Sequence, residues 1–287
     1  MVNLYPQLIK IPAFMTKFID IHNLGFLKKV FLILKGKLTI SVLRLNSKKI
    51  ICFYFNNFFS FNGKLTYDDN FFIKVVDREK IYYPNNRVTR ILINQDEFLE
   101  HLFDSYLLNN IEFTNKDLVI DCGSNVGELF LAFKNKSIDI NYCGVEPDKN
   151  AFYCLNQNTN AKNLNLCLSN SDGKVEFYID EIGANSSVHE SSTTEKKEII
   201  ESITLNRAFK NKKIKLLKID AEGHELEVLQ GGSKIINNVE YISVDCGPER
   251  GVEQNTTFIN VNKFLLNYNF QLIDINKERL IALYKHG

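Results

Sequence analysis

Residues 118–130 read LVIDCGSNVGELF, in which an apolar run ends in an acid and two glycines follow, four residues apart. We expect LVIDC to form a buried strand with Asp121 at its end, and VGELFLAF to form a helix. Gly123 and Gly127 permit a tight backbone path between the two elements and let a ligand approach the chain closely. A plain turn from strand to helix would also explain the glycines, so the loop alone does not identify a ligand.

Apolar runs and helical patterns alternate after this loop. The runs INYCGVE, LNLCL, IKLLKID and YISVDC predict strands, and KVEFYI predicts an additional one. The segments PDKNAFYCLNQN, with Pro147 at its start, and HELEVLQGGSKII predict helices. Strands that alternate with helices favour a parallel sheet covered by helices on both faces.

The C-terminal end departs from this alternation. After a predicted helix, FINVNKFLLNY, the runs FQLIDI and RLIALYK follow each other with three residues between them, Asn276, Lys277 and Glu278. Two strands this close pair as an antiparallel hairpin. A doubly wound sheet with a terminal hairpin predicts the α/β fold of class I (Rossmann-like) methyltransferases, with a seven-stranded sheet.

The composition changes near residue 112, which predicts an N-terminal cap region at 1–111 and a second domain at 112–287. The first region is rich in Phe and Tyr. Its runs KIICFYF and FFIKVV predict strands of an antiparallel meander, and NGK at 62–64 predicts a tight turn. The stretch DEFLEHLFDSYLLNN predicts a helix with Asp96 as its N-cap. We expect this region to contribute to an acceptor pocket or to a homodimer contact.

Charge and cysteine content exclude several protein classes. The net charge is +1, with 35 basic and 34 acidic residues, so no nucleic-acid partner is expected. Six cysteines without a CxxC pair indicate reduced thiols of a cytoplasmic protein and no zinc site. The run VFLILKG at 30–36 is too short to cross a membrane. It predicts a packed helix or strand, with a basic apolar segment at a membrane surface as the alternative.

The loop GSNVG lacks the middle glycine of the dinucleotide motif GxGxxG. A pyrophosphate needs that glycine for close approach, and Asn125 stands in its place. S-adenosyl-L-methionine (SAM) carries no phosphate, so the loop fits SAM better than a dinucleotide. Glu146, at the end of the second strand, is placed to accept hydrogen bonds from both ribose hydroxyls. The alternative is an acid that complements a helix dipole.

Polar residues also follow the later strands. Ser169 and Asn170, after the third strand, could contact the adenine ring or form an ordinary turn. Asp220, Glu222 and His224 follow the fourth strand within five residues and form a candidate acid–base cluster. Glu222 and the neighbouring Glu225 could instead stabilise the N-terminus of the next helix.

Asp245 ends the fifth strand, and it adds a further carboxylate at the same edge of the sheet. Asp220 and Asp245 could share a divalent metal ion, but the sequence shows no third ligand, so no metal site is predicted. Gly231 and Gly232 indicate a close helix contact or an interruption of the helix that follows Asp220.

Taken together, these motifs resemble the FkbM family of SAM-dependent methyltransferases. DCGSNVG resembles its Asp-x-Gly-Ala-Asn-x-Gly loop, with Ser124 in place of alanine, and GVEPD resembles its ribose-binding strand end. LSNSDGKVEFY, NSSV at 185–188 and KIDAEGHELEVLQGG resemble later blocks of the family in the same order. The resemblance covers about 117–245, and this chain departs from it at Cys122, at His224 and in VDCGPERG.

The resemblance implies O-methylation of a glycan, commonly a sugar of a bacterial surface polysaccharide, or of a small secondary metabolite. SAM would be bound by the loop residues, by Glu146 and by Ser169 and Asn170; the loop residues are Asp121, Gly123, Ser124, Asn125 and Gly127. Methyl transfer is then an in-line displacement governed by alignment, and a base takes the hydroxyl proton. The candidate bases are Asp220, Glu222 and His224. Alternatively, Glu222 binds the SAM amino group and another residue is the base.

Two other functions fit parts of the sequence. A nicotinamide-dependent oxidoreductase would share the doubly wound sheet, but the missing glycine and the terminal hairpin argue against it. A non-catalytic module that only scaffolds partners would keep the fold, but the acids at every expected strand end argue against degeneration.

Overall fold

The computed structural model describes residues 11–17, 19–21, 23–179, 187–188 and 196–287. The chain divides into two compact units, 1–98 and 99–287. The division lies before the change of composition near residue 112, because most of the helix predicted in the DEFLEHLFDSYLLNN stretch belongs to the second unit. Among the described residues, no helix is both long and apolar enough to span a membrane.

The first unit contains two helices, a three-stranded meander and a short helix, and a further helix continues into the second unit. The elements are α1 (Phe26–Arg44), α2 (Lys48–Phe58), β1 (Lys64–Tyr67), β2 (Phe72–Val76), β3 (Glu79–Tyr83), α3 (Thr89–Leu92) and α4 (Gln95–Ser105). The meander is antiparallel in the order β1-β2-β3, as FFIKVV predicted. The turn at NGK is also present, with Gly63 at φ +85°.

Two details of this unit correct the sequence predictions. KIICFYF is helical, not a strand, because Ile51, Cys52, Tyr54 and Phe55 are buried together on one side of α2. That spacing of one, three and four residues matches a helix face, and packing overrides the strand preference of aromatic and β-branched residues. Asp96 is not the N-cap of α4, since the helix already begins at Gln95 and Asp96 lies in its first turn.

The second unit is built around a mixed sheet. Its elements are β4 (Asp117–Cys122), α5 (Glu128–Asn135), β5 (Ile140–Val145), α6 (Lys149–Asn158), β6 (Cys167–Leu168), β7 (Gly173–Ile179), β8 (Lys196–Ile203), α7 (Leu205–Ala208), β9 (Ile214–Ile219), α8 (Glu225–Gly231), β10 (Val239–Asp245), β11 (Pro248–Arg250), β12 (Asn255–Thr256), α9 (Phe258–Asn267), β13 (Phe270–Asn276) and β14 (Ile281–His286). The large sheet has the order β13-β14-β10-β9-β4-β5.

Strand directions in this sheet agree with the predicted fold class. β10, β9, β4 and β5 run parallel to one another. β14 pairs antiparallel with β10 and with β13, which confirms the terminal hairpin. Since parallel strands end at the same edge, the residues that follow β4, β5, β9 and β10 meet there.

The described part of the large sheet has six strands, where the sequence predicted seven. The LNLCL run touches β5 only through a parallel bridge between Val145 and Leu164. Its end, β6, pairs instead with β8 in a second sheet of order β6-β8-β7. The additional strand predicted from KVEFYI is β7 of this second sheet.

Helix ends refine two further predictions. Asp148 is the N-cap of α6, because its side chain accepts a hydrogen bond from the Ala151 N–H at 2.7 Å, and Pro147 precedes the cap. α8 ends at Gly231, earlier than the HELEVLQGGSKII pattern predicted. A Cβ atom on Gly231 would lie 2.0 Å from the Ser169 carbonyl oxygen, so this glycine marks a close helix contact.

All six cysteines are free thiols, and all except the partly buried Cys143 are buried. Burial raises the pKa of the Cys143 thiol to about 11. Most of the polar segment SSVHESSTTEKK at 186–197 lies outside the described residues.

Candidate active site

The glycines of the GSNVG loop make room for other parts of the protein. Gly123 has φ +74°, and a Cβ atom there would lie 1.8 Å from the Asp220 carbonyl oxygen. Gly127 has φ +86°, and a Cβ atom there would lie 3.0 Å from the side chains of Leu155 and Thr159. Both glycines are therefore required for backbone conformation and internal packing, whereas the sequence had related them to close approach of a ligand.

The Asp121 side chain lies beneath the loop and supports it. It forms an ion pair with Lys218 Nζ at 2.8 Å, and Tyr142 donates its hydroxyl hydrogen to Asp121 at 2.5 Å. Lys218 in turn donates to the Gly123 carbonyl oxygen at 2.9 Å. Burial alone would lower the pKa of Lys218, but the charge of Asp121 raises it above its usual value. Lys218, which the sequence analysis did not single out, thus joins β9 to the loop.

The side chains of Ser124 and Asn125 are turned toward the protein. The buried Ser124 hydroxyl faces Gly144 on the neighbouring strand. Asn125 adopts a left-handed conformation with φ +48°, and its Oδ1 accepts from the Val126 N–H at 3.0 Å. What Asn125 offers at the edge is its backbone N–H, which donates to Glu146 Oε2 at 2.8 Å.

The carboxylate of Glu146 can still accept ribose hydroxyls. Its second oxygen, Oε1, accepts from the Asp148 N–H at 2.9 Å, so each oxygen receives one backbone hydrogen bond. A carboxylate has about four acceptor positions, which leaves capacity for two further donors. Burial raises the pKa of Glu146 to about 7, and hydroxyl donors would stabilise its ionised form. The residues present therefore fit the ribose of SAM.

A second buried glutamate holds the loop between β9 and α8. Glu225 Oε1 accepts from the backbone N–H groups of Ala221 at 3.2 Å and of Gly223 at 2.8 Å. Its Oε2 accepts from the Thr257 hydroxyl at 2.9 Å. Burial raises the pKa of Glu225 to about 7. Glu225 thus fixes the loop that carries Asp220 and Glu222. The sequence had suggested only that Glu225 stabilises the N-terminus of the next helix.

Asp220 and Asp245 are joined by a cationic side chain. Arg279 Nη2 lies 2.6 Å from Asp245 Oδ2 and 3.6 Å from Asp220 Oδ2. Asp220 also accepts a hydrogen bond from the Tyr106 hydroxyl. The sequence suggested that Asp220 and Asp245 could share a metal ion. Both carboxylates are instead paired with the positive charge of Arg279.

A different set of three acids forms the open part of the edge. Asp220, Glu222 and Glu249 place one oxygen each within 4.8 Å of one another, and among the described residues this is the group whose spacing could hold a metal ion. We name these residues the acidic trio. Burial and the charges of Asp220 and Asp245 raise the pKa of Glu249 to about 8. Glu249 lies in the unusual VDCGPERG segment, but no local pattern there identifies it as a site residue.

The acidic trio also suits an organic cation. SAM carries a sulfonium and an ammonium group against one carboxylate, so its net charge is positive. The raised pKa of Glu249 means that its ionised form is favoured when a positive charge enters beside it. The charge of the site therefore fits SAM.

His224 belongs to a separate hydrogen-bonded group. It is buried, its Nε2 lies 2.9 Å from the Ser169 hydroxyl oxygen, and its Nδ1 lies 3.7 Å from Glu227. Glu227 pairs with Arg250 at 2.6 Å. Asn170 is exposed, and its amide lies 3.4 Å from Gln230. The structure thus places His224 with Ser169 and leaves it outside the acidic trio of Asp220, Glu222 and Glu249.

The described part of the NSSV segment reaches the same edge. The Ser187 hydroxyl donates to the Glu222 carbonyl oxygen at 2.8 Å, and its backbone pairs with Tyr178 on β7. Asn185 and Ser186 lie outside the described residues. Ser187 therefore ties the second sheet to the loop that carries Glu222.

A cavity of about 1270 Å³ lies at the opposite edge of the large sheet. Its lining includes residues where the parallel strands begin, such as Asp117, Ile140, Ile214 and Val239. The candidate site residues named above do not line it, and ligands of such sheets bind where the strands end.

Comparison with known proteins agrees with the motifs. The family described as Methyltransferase FkbM domain matches residues 121–272. The hexuronic acid methyltransferase AglP of Haloferax volcanii is 30% identical over 142 residues, which cover 47% of this chain and 57% of that protein. This chain thus matches less than two thirds of the length of its curated relative.

Solved structures of methyltransferases are also similar, though distantly. One is the N-terminal domain of human METTL16 in complex with SAH, with 13% identity, coverage of 88% of this chain and 86% of that chain, and a TM-score of 0.38. Another is a SAM-dependent methyltransferase from Aquifex aeolicus, with 11% identity, coverage of 66% and 97%, and a TM-score of 0.40.

Proposed function

Because the chain belongs to the FkbM methyltransferase domain family, we propose that it transfers a methyl group from SAM to a hydroxyl group of a sugar or glycan. Membership of the family confirms the predicted fold class, the assignment as a SAM-dependent methyltransferase domain, and SAM as the cofactor. The nature of the acceptor is the new part of the proposal, and it is supported by the similarity to a hexuronic acid methyltransferase.

The acidic trio is the observation that carries the choice of a hydroxyl. A hydroxyl group has to lose its proton during transfer, whereas a carboxylate is already ionised and needs no base. At a pKa of about 8 Glu249 is largely protonated at neutral pH, and the positive charge of bound SAM would favour the ionised form that accepts the hydroxyl proton.

When bound, SAM supplies an activated methyl group on its sulfonium. In the proposed step the acceptor oxygen forms a bond to the methyl carbon, the bond between that carbon and sulfur breaks, and its electron pair stays on sulfur. Glu249 accepts the hydroxyl proton, while Asp220 and Glu222 orient the hydroxyl. Glu146 holds the ribose, and Tyr106 and Arg279 hold Asp220 in place.

The test uses SAM labelled in its methyl group and two acceptor classes, a glycoside of a hexuronic acid and a neutral hexoside. We expect label in a sugar product that survives treatment with alkali, because a methyl ether is stable there and a methyl ester is hydrolysed. Label lost in alkali would assign the activity to carboxyl methylation. Absence of SAM binding in calorimetry would overturn the proposal as a whole.

Variants of the acidic trio separate catalysis from binding. Glu249→Gln should lower kcat by about 10²- to 10⁴-fold, the usual contribution of a general base, and SAM affinity should change much less. Glu253→Gln is a matched control, because Glu253 is exposed on the next turn of the chain. Turnover of Glu249→Gln at the wild-type rate would exclude Glu249 as the base.

A further inference from the structure

Helix α1 packs into the first unit through one face only. Its buried residues are Ile33, Gly36, Thr39 and Val42. The Thr39 hydroxyl lies 2.9 Å from the Tyr54 hydroxyl of α2, and a Cβ atom on Gly36 would lie 2.9 Å from Ile11. These contacts fix the rotation of the helix about its axis, and therefore fix which residues point away from the unit.

The opposite face of α1 exposes large apolar side chains. We name them the apolar stripe: Leu27, Phe31, Leu34, Leu38 and Leu45, with exposed fractions between 52% and 81%. Steps of four, three and four residues place the first four of them on one side of the helix. α2 adds the exposed side chains of Ile50 and Phe53. Leu45 directly follows the last residue of α1, and a row of exposed apolar side chains of this kind marks an interaction site.

The charge around the apolar stripe has one sign. Residues 26–58 contain seven basic residues and no acidic residue, namely Lys28, Lys29, Lys35, Lys37, Arg44, Lys48 and Lys49. At 100° per residue, Lys28 lies on one flank of the stripe, and Lys37 and Arg44 lie on the other. Lys35 is also on the first flank, but its Nζ packs over the Phe59 ring at 3.9 Å. The whole chain has a net charge of only +1, so basic residues are concentrated here.

We propose that α1, assisted by α2, lies on an anionic lipid surface with the apolar stripe inserted among the lipid chains. An apolar face bordered by lysines is the pattern of helices that bind in the plane of a membrane interface. A second copy of this chain would cover the stripe but would bring positive flanks against positive flanks. An anionic bilayer accommodates both the apolar face and the charges, since each basic residue near such a surface strengthens binding by roughly fivefold.

The test is co-sedimentation of the full chain with vesicles, without SAM or acceptor, so that it is independent of the methyl transfer proposed above. We expect binding to vesicles of phosphatidylcholine and phosphatidylglycerol in similar amounts. Binding to vesicles of phosphatidylcholine alone should be weaker by at least about tenfold. High salt should weaken binding to the vesicles that contain phosphatidylglycerol. Equal binding to both vesicle types, or to neither, would overturn the proposal.

Two variants separate the apolar and the charged contributions. The triple variant Leu27→Ser, Phe31→Ser and Leu34→Ser should lose about a hundredfold or more in vesicle affinity, because each side chain would lose its burial in lipid. Lys28→Gln with Lys37→Gln should lose roughly 10- to 30-fold. Because these positions are exposed, the circular dichroism spectrum and melting temperature should stay close to wild type.

The matched controls lie in the second unit. Ile259→Ser with Leu266→Ser removes exposed apolar side chains from α9, and Lys212→Gln with Lys213→Gln removes exposed lysines. Both controls should bind vesicles as wild type does. If analytical ultracentrifugation without lipid shows a dimer that the triple serine variant abolishes, the stripe belongs to a second copy and the lipid proposal is wrong.

Discussion

Two loops at the carboxyl edge of the large sheet, 123–127 and 220–225, are held in the same way. The residues that hold them differ in their capacity to accept further hydrogen bonds. Each is fixed by a buried glutamate that accepts backbone N–H groups, Glu146 for the first loop and Glu225 for the second. Burial raises the pKa of both carboxyl groups to about 7. From contacts to the backbone alone, the two residues would be assigned the same role.

The difference lies in how many acceptor positions remain. Glu146 receives one hydrogen bond on each oxygen. Glu225 receives three, two on Oε1 and one from Thr257 on Oε2, and it is only 1% exposed. Glu146 can therefore bind a ligand while it holds its loop, whereas Glu225 is confined to support. For a buried acid at the edge of the sheet where ligands bind, the number of remaining acceptor positions indicates whether it can bind a ligand as well as support a loop.

The largest effect is expected for Glu225→Ala. It leaves three donors without their acceptor, so the free energy of unfolding should fall by about 3–5 kcal/mol. Urea denaturation measures this. Glu225→Gln should recover part of the loss, because an amide oxygen can still accept from two of the donors. A loss below about 1 kcal/mol for the alanine variant would show that the second loop does not depend on this residue.

The pH dependence of stability should distinguish the two glutamates next. In the folded protein the pKa of each carboxyl group is about 7, above the ordinary 4.5. Protonation of these groups therefore stabilises the folded state, and this stabilisation is fully present below about pH 4.5. It is lost as the pH rises through about 7, and unfolding free energy should fall by a few kcal/mol over that interval. Saturating SAM should remove part of this fall, because hydroxyl donors favour ionised Glu146 but do not reach Glu225.

Thermal unfolding across that pH range checks this prediction. In Glu146→Gln SAM should remove a smaller part of the pH dependence than in wild type, whereas in Glu225→Gln SAM should remove a larger part of it. The reverse pattern would mean that Glu225, not Glu146, contacts the ligand.

A smaller effect is expected on SAM affinity itself. Glu146→Gln should raise the Kd for SAM about 30-fold, equivalent to about 2 kcal/mol, because charge-assisted hydrogen bonds to the ribose become neutral ones. Glu225→Gln is the matched control at the other loop and should change the Kd by less than about threefold. Titration calorimetry measures the Kd of both variants. Equal losses of SAM affinity would show that Glu146 and Glu225 do not differ in their contact with the ligand.

The smallest effect is expected for Asn125→Gly in the first loop. Glycine relieves a left-handed conformation that costs roughly 1 kcal/mol, but it loses the hydrogen bond from the Val126 N–H and adds freedom to the unfolded chain. These contributions nearly cancel, so stability should change by less than about 0.5 kcal/mol. The backbone N–H that reaches Glu146 is kept, and SAM affinity should stay within about threefold of wild type. A large loss would show that the Asn125 side chain contacts the ligand.

Much of the second unit could be predicted because its signals are local. The apolar runs of β4, β5, β9 and β10 and the two closely spaced runs of the terminal hairpin have the lengths and spacings of those elements. Glu146 and Asp220 could be placed at the ligand edge because parallel strands end together. KIICFYF shows the limit of such signals, because its residues favour a strand, whereas contacts of the folded chain with α1 and with Leu65 of β1 hold this segment as a helix.

The site depended more on tertiary contacts. Tyr106, Glu249 and Arg279 surround Asp220 and Asp245, but Tyr106 and Asp220 are more than a hundred residues apart in the chain. A local pattern does not record which distant side chain will arrive beside a carboxylate. For the same reason, the sequence grouped His224 with its neighbours Asp220 and Glu222, while folding turned it toward Ser169.

The sequence by itself determined the family and the cofactor, and it predicted the edge of the sheet at which we propose that SAM binds, because glycine spacing, strand-end acids and hydropathic period are properties of short segments. Only the tertiary structure decided that Glu146 keeps acceptor capacity while Glu225 does not, and that Glu249 completes an acidic trio. Those properties depend on which groups desolvate and hydrogen-bond each carboxylate, and these groups are brought together by folding from distant parts of the chain.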